Sequence, residues 1–228
     1  MRVGVVTELT GEGVSADAKA GLERALAALR DEGVEVVPVS LASVEHAVAA
    51  YYLIATAEAS SNLARYDGTI YGRRVAAADG DDAGQEAVMT RTRGELFGPE
   101  VRRRVLMGSF ALSAGYYDAY YGRALKVRRL VADDLNRALS EVDAVIAPTA
   151  TSTAYRLGEK LSDPVSMYVG DVATCLANLA GAPAISLPAG VGSDGLPVGV
   201  QLMGTVTGDD ELLGLARRLQ GLLTAANG

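Results

Sequence analysis

Tryptophan is absent from the 228-residue sequence, phenylalanine occurs twice, and cysteine and histidine once each, as Cys175 and His46. A single cysteine excludes an internal disulfide framework and any zinc site built on several thiolates, and it points to a reducing, cytoplasmic compartment. A single histidine leaves Ser-His-Asp and Cys-His devices, and multi-histidine metal sites, almost without raw material. Long apolar runs are missing too. The longest mainly apolar stretch, Ala47 to Ala57, is far below the ~18–20 residues that cross a bilayer, so no membrane anchor is expected. Met1–Val6 runs into Glu8 and the Gly11/Gly13 pair, too soon for a secretory apolar segment of about 7–15 residues. No fixed-period repeat is visible.

What remains is a foldable α/β sequence. Hydrophobic residues make up 49% and charged residues 21%, a balance that excludes a disordered chain. The 21 Lys and Arg against 28 Asp and Glu give a net charge of −7, which argues against a general nucleic-acid-coating protein. Arg2–Val6 reads as a strand. Asp17–Arg30 follows as an amphipathic helix, with Leu22, Ala25, Leu26 and Leu29 at helical spacing, Ser15 near its start and Gly33 just past its end. Val34–Val39 is a second strand, and Pro38 makes it an edge candidate. These three elements form a β-α-β unit of the kind that builds parallel sheets. Val44–Arg65 predicts a long helix, and a mobile surface loop is expected around 67–90. Helices are predicted from Pro99 to Leu112, from Tyr117 to Ser140, from the Asp163-Pro164 opener to about Ala180, and from about Asp209 to Ala226. Strands are predicted at 143–148, 183–188 and 198–203, the last two paired across a turn.

Several features could carry chemistry. Six of the ten tyrosines fall in pairs, Tyr51-Tyr52, Tyr116-Tyr117 and Tyr120-Tyr121, whose rings bridge core and surface through an apolar body and a polar tip. Arg91–Arg129 holds nine basic residues against three acidic ones. That stretch reads as a solvated helix face, an RNA-backbone contact, or a set of internal salt bridges. Arginine's planar fork could also seat one anionic substrate group. Gly11-Glu12-Gly13 lacks the third glycine of a dinucleotide fingerprint, and no Gly-Lys-Ser/Thr exists to cradle phosphate. Ser60-Ser61 lacks both an adjacent base and a glycine elbow, and Cys175 has no evident activating neighbour in sequence, so both read as structural. His46 reads as a surface or cap residue.

Four stretches taken together resemble the amidase signature family, and within it the branch formed by the A subunits of the glutamyl-tRNA(Gln)/aspartyl-tRNA(Asn) amidotransferases. They are Tyr51–Ala55 leading into Glu58–Gly68; Thr90–Glu95 with Phe97–Val101 and Arg103-Arg104; Ser113–Gly122; and Met167-Tyr168 with Asp171 and Asn178–Ser186. They run in order through nearly all of the chain. The resemblance implies an α/β, mixed-sheet amidase signature fold, of which residues 1–228 would form an incomplete, C-terminal portion.

It further implies hydrolysis of glutamine to ammonia, which a partner subunit uses to amidate misacylated Glu-tRNA(Gln) or Asp-tRNA(Asn). Partners implied are amidotransferase subunits B and C, with tRNA engaged indirectly. No cofactor is expected in this chain, ATP and Mg being used by a partner subunit. Family members work with a serine nucleophile, a second serine and a lysine in a Gly/Ser-rich region, and no Gly-Gly-Ser-Ser-Gly-Gly-type run occurs here. The expectation is therefore a glutamine-recognition half without catalytic residues, truncated or served by a separate N-terminal half; alternatives are a non-catalytic binding module and an amidase with another nucleophile. By resemblance Tyr51 matches a pocket tyrosine, Arg104 the arginine that pairs with the substrate α-carboxylate, and Asp171 the aspartate that faces its α-ammonium. Leu96 and Leu176 stand where the family usually has glycine and often has proline.

Overall fold

A computed structural model describes residues 1–75, 84–160, 167 and 170–225. The chain divides into two units, one formed by Met1–Val48 with Val127–Gly228 and the other by Ala49–Lys126. The boundaries fall inside two long helices.

The first unit is built on a five-stranded mixed sheet. Its strands are β1 (Arg2–Val6), β2 (Glu35–Val39), β3 (Ala144–Pro148), β4 (Ala184–Val191) and β5 (Pro197–Met203), in the order β2-β1-β3-β5-β4. β1 pairs parallel with β2 and β3, whereas β5 pairs antiparallel with β3 and β4. The parallel β1–β2 pair needs a crossover, and helix α1 (Ala16–Asp31) provides it. Pro38 sits in edge strand β2, where its missing N–H costs no ladder bond. The central strand β3 is buried along its whole length, which is why Ala-Val-Ile-Ala reads as a continuous apolar run rather than an alternation.

α1 starts at Ser15, whose Oγ accepts a hydrogen bond from the Ala18 N–H at 3.2 Å. It stops at Gly33, whose φ of 74° lets the Val34 N–H reach back to the Leu29 carbonyl at 3.0 Å. Its apolar stripe, Leu22, Ala25, Leu26 and Leu29, packs with Leu212, Leu215 and Leu219 of the last helix, Asp209–Ala225, over Val3, Ile146, Val200 and Leu202. Burying a leucine such as Leu29 or Leu219 contributes on the order of 1.5–3 kcal/mol, so this layer is the main source of order in the unit.

The second unit is helical. It holds most of α2 (Val44–Leu63), then α3 (Gln85–Leu96), α4 (Pro99–Ala111), a wide π turn (Tyr117–Tyr121) and the start of α5 (Gly122–Leu139). Two expectations, one in each unit, are revised. The loop expected around 67–90 gives way to helix α3 from Gln85, a polar segment with little amphipathic signal to announce it; residues 76–83 lie outside the described residues. Of the helix expected from Asp163-Pro164 to about Ala180, Met167 and α6 (Cys175–Ala180) are helical and a turn at 170–174 precedes α6; 161–166 and 168–169 lie outside the described residues. The remaining helix, Asp209–Ala225, is α7.

Candidate functional site

In the helical unit, α2 and α4 approach each other unusually closely, and one glycine permits it. A Cβ on Gly108 would stand 2.0 Å from the Thr56 carbonyl oxygen. Thr56 is buried and turns its own hydroxyl back to the Tyr52 carbonyl at 2.6 Å, so it needs no partner on α4. One turn before each of these residues stand Tyr52 and Arg104, with the guanidinium carbon 5.7 Å from the ring centroid. One turn after Thr56, Ser60 shares a 3.0 Å hydrogen bond with Ser109. These contacts lie on either side of the close approach at Gly108.

Around Arg104 the geometry is specific. Its Nε donates to Glu100 Oε1 at 2.9 Å, and the other carboxylate oxygen of Glu100 takes Arg103 Nη1 at 3.1 Å. Partial burial works against the Arg104 charge, but the Glu100 carboxylate and the nearby Tyr52 and Tyr51 hydroxyls favour it, and the balance raises its pKa above the ordinary arginine value. The side chain retains 32% exposure, so it is a permanent cation that solutes can reach. Tyr51 is half-buried, and its ring meets that of Tyr52 edge-on at 5.1 Å.

Asp171 lies in the other unit, exposed, at the turn that opens α6. Its backbone carbonyl accepts the N–H groups of Thr174 at 3.1 Å and Cys175 at 3.0 Å. The buried Gln201 on β5 anchors the same turn by donating from Nε2 to the Ala173 carbonyl at 2.8 Å. Cys175 is buried; that burial, and then the Asp171 carboxylate, push its thiol up to about 11, the opposite of what a nucleophile needs.

Of the residues singled out in sequence, Tyr51 and Arg104 share the helical unit and Asp171 belongs to the sheet unit. Two neighbours of Arg104 escape recognition as site residues in the sequence. Glu100 is legible from its i, i+4 spacing to Arg104; the Tyr52 ring, on a different helix, leaves no sequence signal beyond the tyrosine pair. The basic stretch engages in internal pairing at several points: Arg103 and Arg104 with Glu100, Arg129 with Asp133, and Arg128 with the Leu179 carbonyl. His46 is exposed beside Glu45. Among the described residues no group of three or more His, Cys, Asp and Glu side chains could hold a metal ion, and no helix is long and apolar enough to cross a membrane.

The family model described as Amidase matches residues 1–213. The chain is 51% identical over 216 residues to the A subunit of glutamyl-tRNA(Gln) amidotransferase from Symbiobacterium thermophilum, covering 95% of this chain and 43% of that one. It is 49% identical over 224 residues to the Paenarthrobacter aurescens protein of the same name, covering 98% and 43%. The chain therefore spans less than half the length of these curated relatives. Among solved structures, the A subunit of glutamyl-tRNA(Gln) amidotransferase from Thermotoga maritima superposes with a TM-score of 0.70 at 38% identity, over 96% of this chain and 42% of that one. A 6-aminohexanoate cyclic dimer hydrolase superposes with a TM-score of 0.71 at 22% identity, over 98% and 45%, which speaks to fold alone.

Proposed function

Because the chain belongs to the amidase family, we propose that it is the glutamine-recognition portion of the A subunit of a tRNA-dependent amidotransferase, gripping the amino acid whose side-chain amide is hydrolysed to ammonia. The observation that carries this reading is Arg104, a reachable guanidinium kept charged between Glu100 and the Tyr52 ring. A zwitterionic amino acid calls for one fixed cation and one fixed anion, and the planar arginine fork holds a carboxylate with two parallel hydrogen bonds. In this reading Arg104 takes the α-carboxylate and Tyr51 contributes its hydroxyl-bearing ring.

The bond-breaking serine, its partner serine and the lysine come from polypeptide other than these 228 residues, which contain no Gly/Ser-rich run of the family type. The same reading assigns ammonia delivery onto misacylated tRNA, and the use of ATP and Mg, to partner subunits of the B and C type, in the cytoplasm. Identity near 50% with amidotransferase A subunits over nearly the whole chain supports it.

Ammonia release from glutamine tests the reading. The chain is assayed alone and mixed with a polypeptide corresponding to the first half of a relative. Release is expected only from the mixture, and turnover by the chain alone overturns the division of labour. In the active mixture Arg104→Ala should raise the glutamine requirement by roughly 100-fold, about the 2–3 kcal/mol of a charge-assisted pair.

A further inference from the structure

The Glu100 carboxylate spans two adjacent arginines on α4, taking Arg103 Nη1 on one oxygen and Arg104 Nε on the other. An arginine has two edges that can meet a carboxylate side-on, one formed by Nε with a terminal nitrogen and one by the two terminal nitrogens. Glu100 ties off the first. Among the described residues it is the hydrogen-bond partner of the Arg104 guanidinium, whose central carbon stands 5.7 Å from the centroid of the Tyr52 ring. What is left for a ligand is the end-on edge of the two terminal nitrogens. Resting on the glutamine-recognition reading above, we propose that Glu100 is a positioning residue for the substrate: it fixes which edge of Arg104 meets the α-carboxylate, while the Tyr52 ring borders the guanidinium on one side.

The physical case rests on side-chain entropy. A free arginine side chain samples many rotamers and must surrender them when it forms a two-point bond with ligand. At Arg104 the bond to Glu100 and the ring contact hold the guanidinium before ligand arrives, so less is lost on binding. A competing effect has the opposite sign. Glu100 is itself an anion near the position of an incoming carboxylate, and it repels that group across Arg104. The positive charge of Arg103 on the second carboxylate oxygen counters this, leaving the Arg103/Glu100/Arg104 set with two cations against one anion.

Calorimetric titration separates the two effects, using glutamine and, as a probe without the α-carboxylate, 4-aminobutanamide. The protein is the full chain, mixed with the supplied first-half polypeptide if glutamine turnover requires it. Glu100→Ala is expected to weaken glutamine binding on the order of tenfold. Glu100→Gln keeps an acceptor for Nε and is expected to recover part of that loss, and 4-aminobutanamide is expected to bind all three proteins alike. Tyr52→Leu should weaken glutamine and not the probe. Equal weakening of both ligands would mean that Glu100 acts only on helix stability and would overturn the proposal, as would tighter glutamine binding by Glu100→Ala. If Arg104→Ala leaves glutamine binding intact, the recognition reading itself fails, and the positioning role with it. A strong Arg104→Ala effect beside an unchanged Glu100→Ala removes the positioning role alone.

Discussion

Gly108 and Thr56 meet across α4 and α2 so closely that no side chain fits between them: a methyl group on Gly108 would lie 2.0 Å from the Thr56 carbonyl oxygen and 2.7 Å from the Ser60 Cβ. The obstacle is backbone, which cannot swing aside as the end of a flexible side chain can. The contact that sets Arg104 against the Tyr52 ring, one turn earlier on each helix, therefore depends on a residue with no side chain.

Gly108→Ala should be destabilising even though alanine is the better helix former by about 1 kcal/mol. The propensity gain is outweighed by forcing the two helices apart, an overpacking penalty of typically about 1–3 kcal/mol. Thermal unfolding is expected to shift downward, and the Arg104-dependent affinity for glutamine to fall with it. An unchanged or raised Tm would show that α2 and α4 are not held at this separation in solution.

Much of the sheet unit is legible in the sequence because its signals are local and repeated. β3 announces itself as an apolar run stopped by Pro148, α1 carries a stripe bounded by Ser15 and Gly33, and Pro38 marks the edge. The helical unit is harder to read. α3 is polar, buries only Val88 and Thr92 along its length, and opens at Gly84 without a side-chain cap. Its helicity rests on propensity and on neighbours that no short window of sequence displays. The same limit applies to the site. The Glu100–Arg104 pair follows from spacing along one helix, whereas the Tyr52–Arg104 contact requires knowing that α2 and α4 pack against each other, and the glycine that allows this is one of 26.

Acid should test the joint between the start of α2 and the body of α5. Asp134 Oδ2 accepts the Ser43 N–H at 3.0 Å, and the other oxygen engages Arg137. Burial alone would raise this carboxyl, but the donors from Ser43 and Arg137 outweigh it and hold the group below the ordinary aspartate range. A depressed folded pKa contributes stability above the unfolded value of about 3.9 and loses it as pH falls through the lower folded value. The carboxylate also sits at the positive end of α2. Asp134→Asn is expected to cost about 1 kcal/mol at about pH 7. Its denaturant curve should converge with that of the unaltered protein below about pH 4. A gap that stayed constant well into the acid range, to roughly pH 2.5, would mean that Asp134 acts through packing and not through its charge.

Alkali addresses Cys175 with the opposite sign. Burial, reinforced by the Asp171 carboxylate, raises the thiol from 9.0 to about 11, so the folded state favours the protonated form. The resulting stabilisation is fully present below the unfolded pKa and disappears as pH rises through about 11. Relative to Cys175→Ala, the protein should therefore lose stability between about pH 9 and 11, with the two curves parallel below that window. The shift also leaves on the order of 100-fold less thiolate at about pH 8 than in a free cysteine, and the thiolate is the reacting form. A maleimide or disulfide reagent should label the native chain at least that much more slowly than the chain unfolded in guanidinium chloride. Labelling at comparable rates in both states would place the thiol in solvent and remove the ground for reading Cys175 as structural, reopening it as a nucleophile beside Asp171.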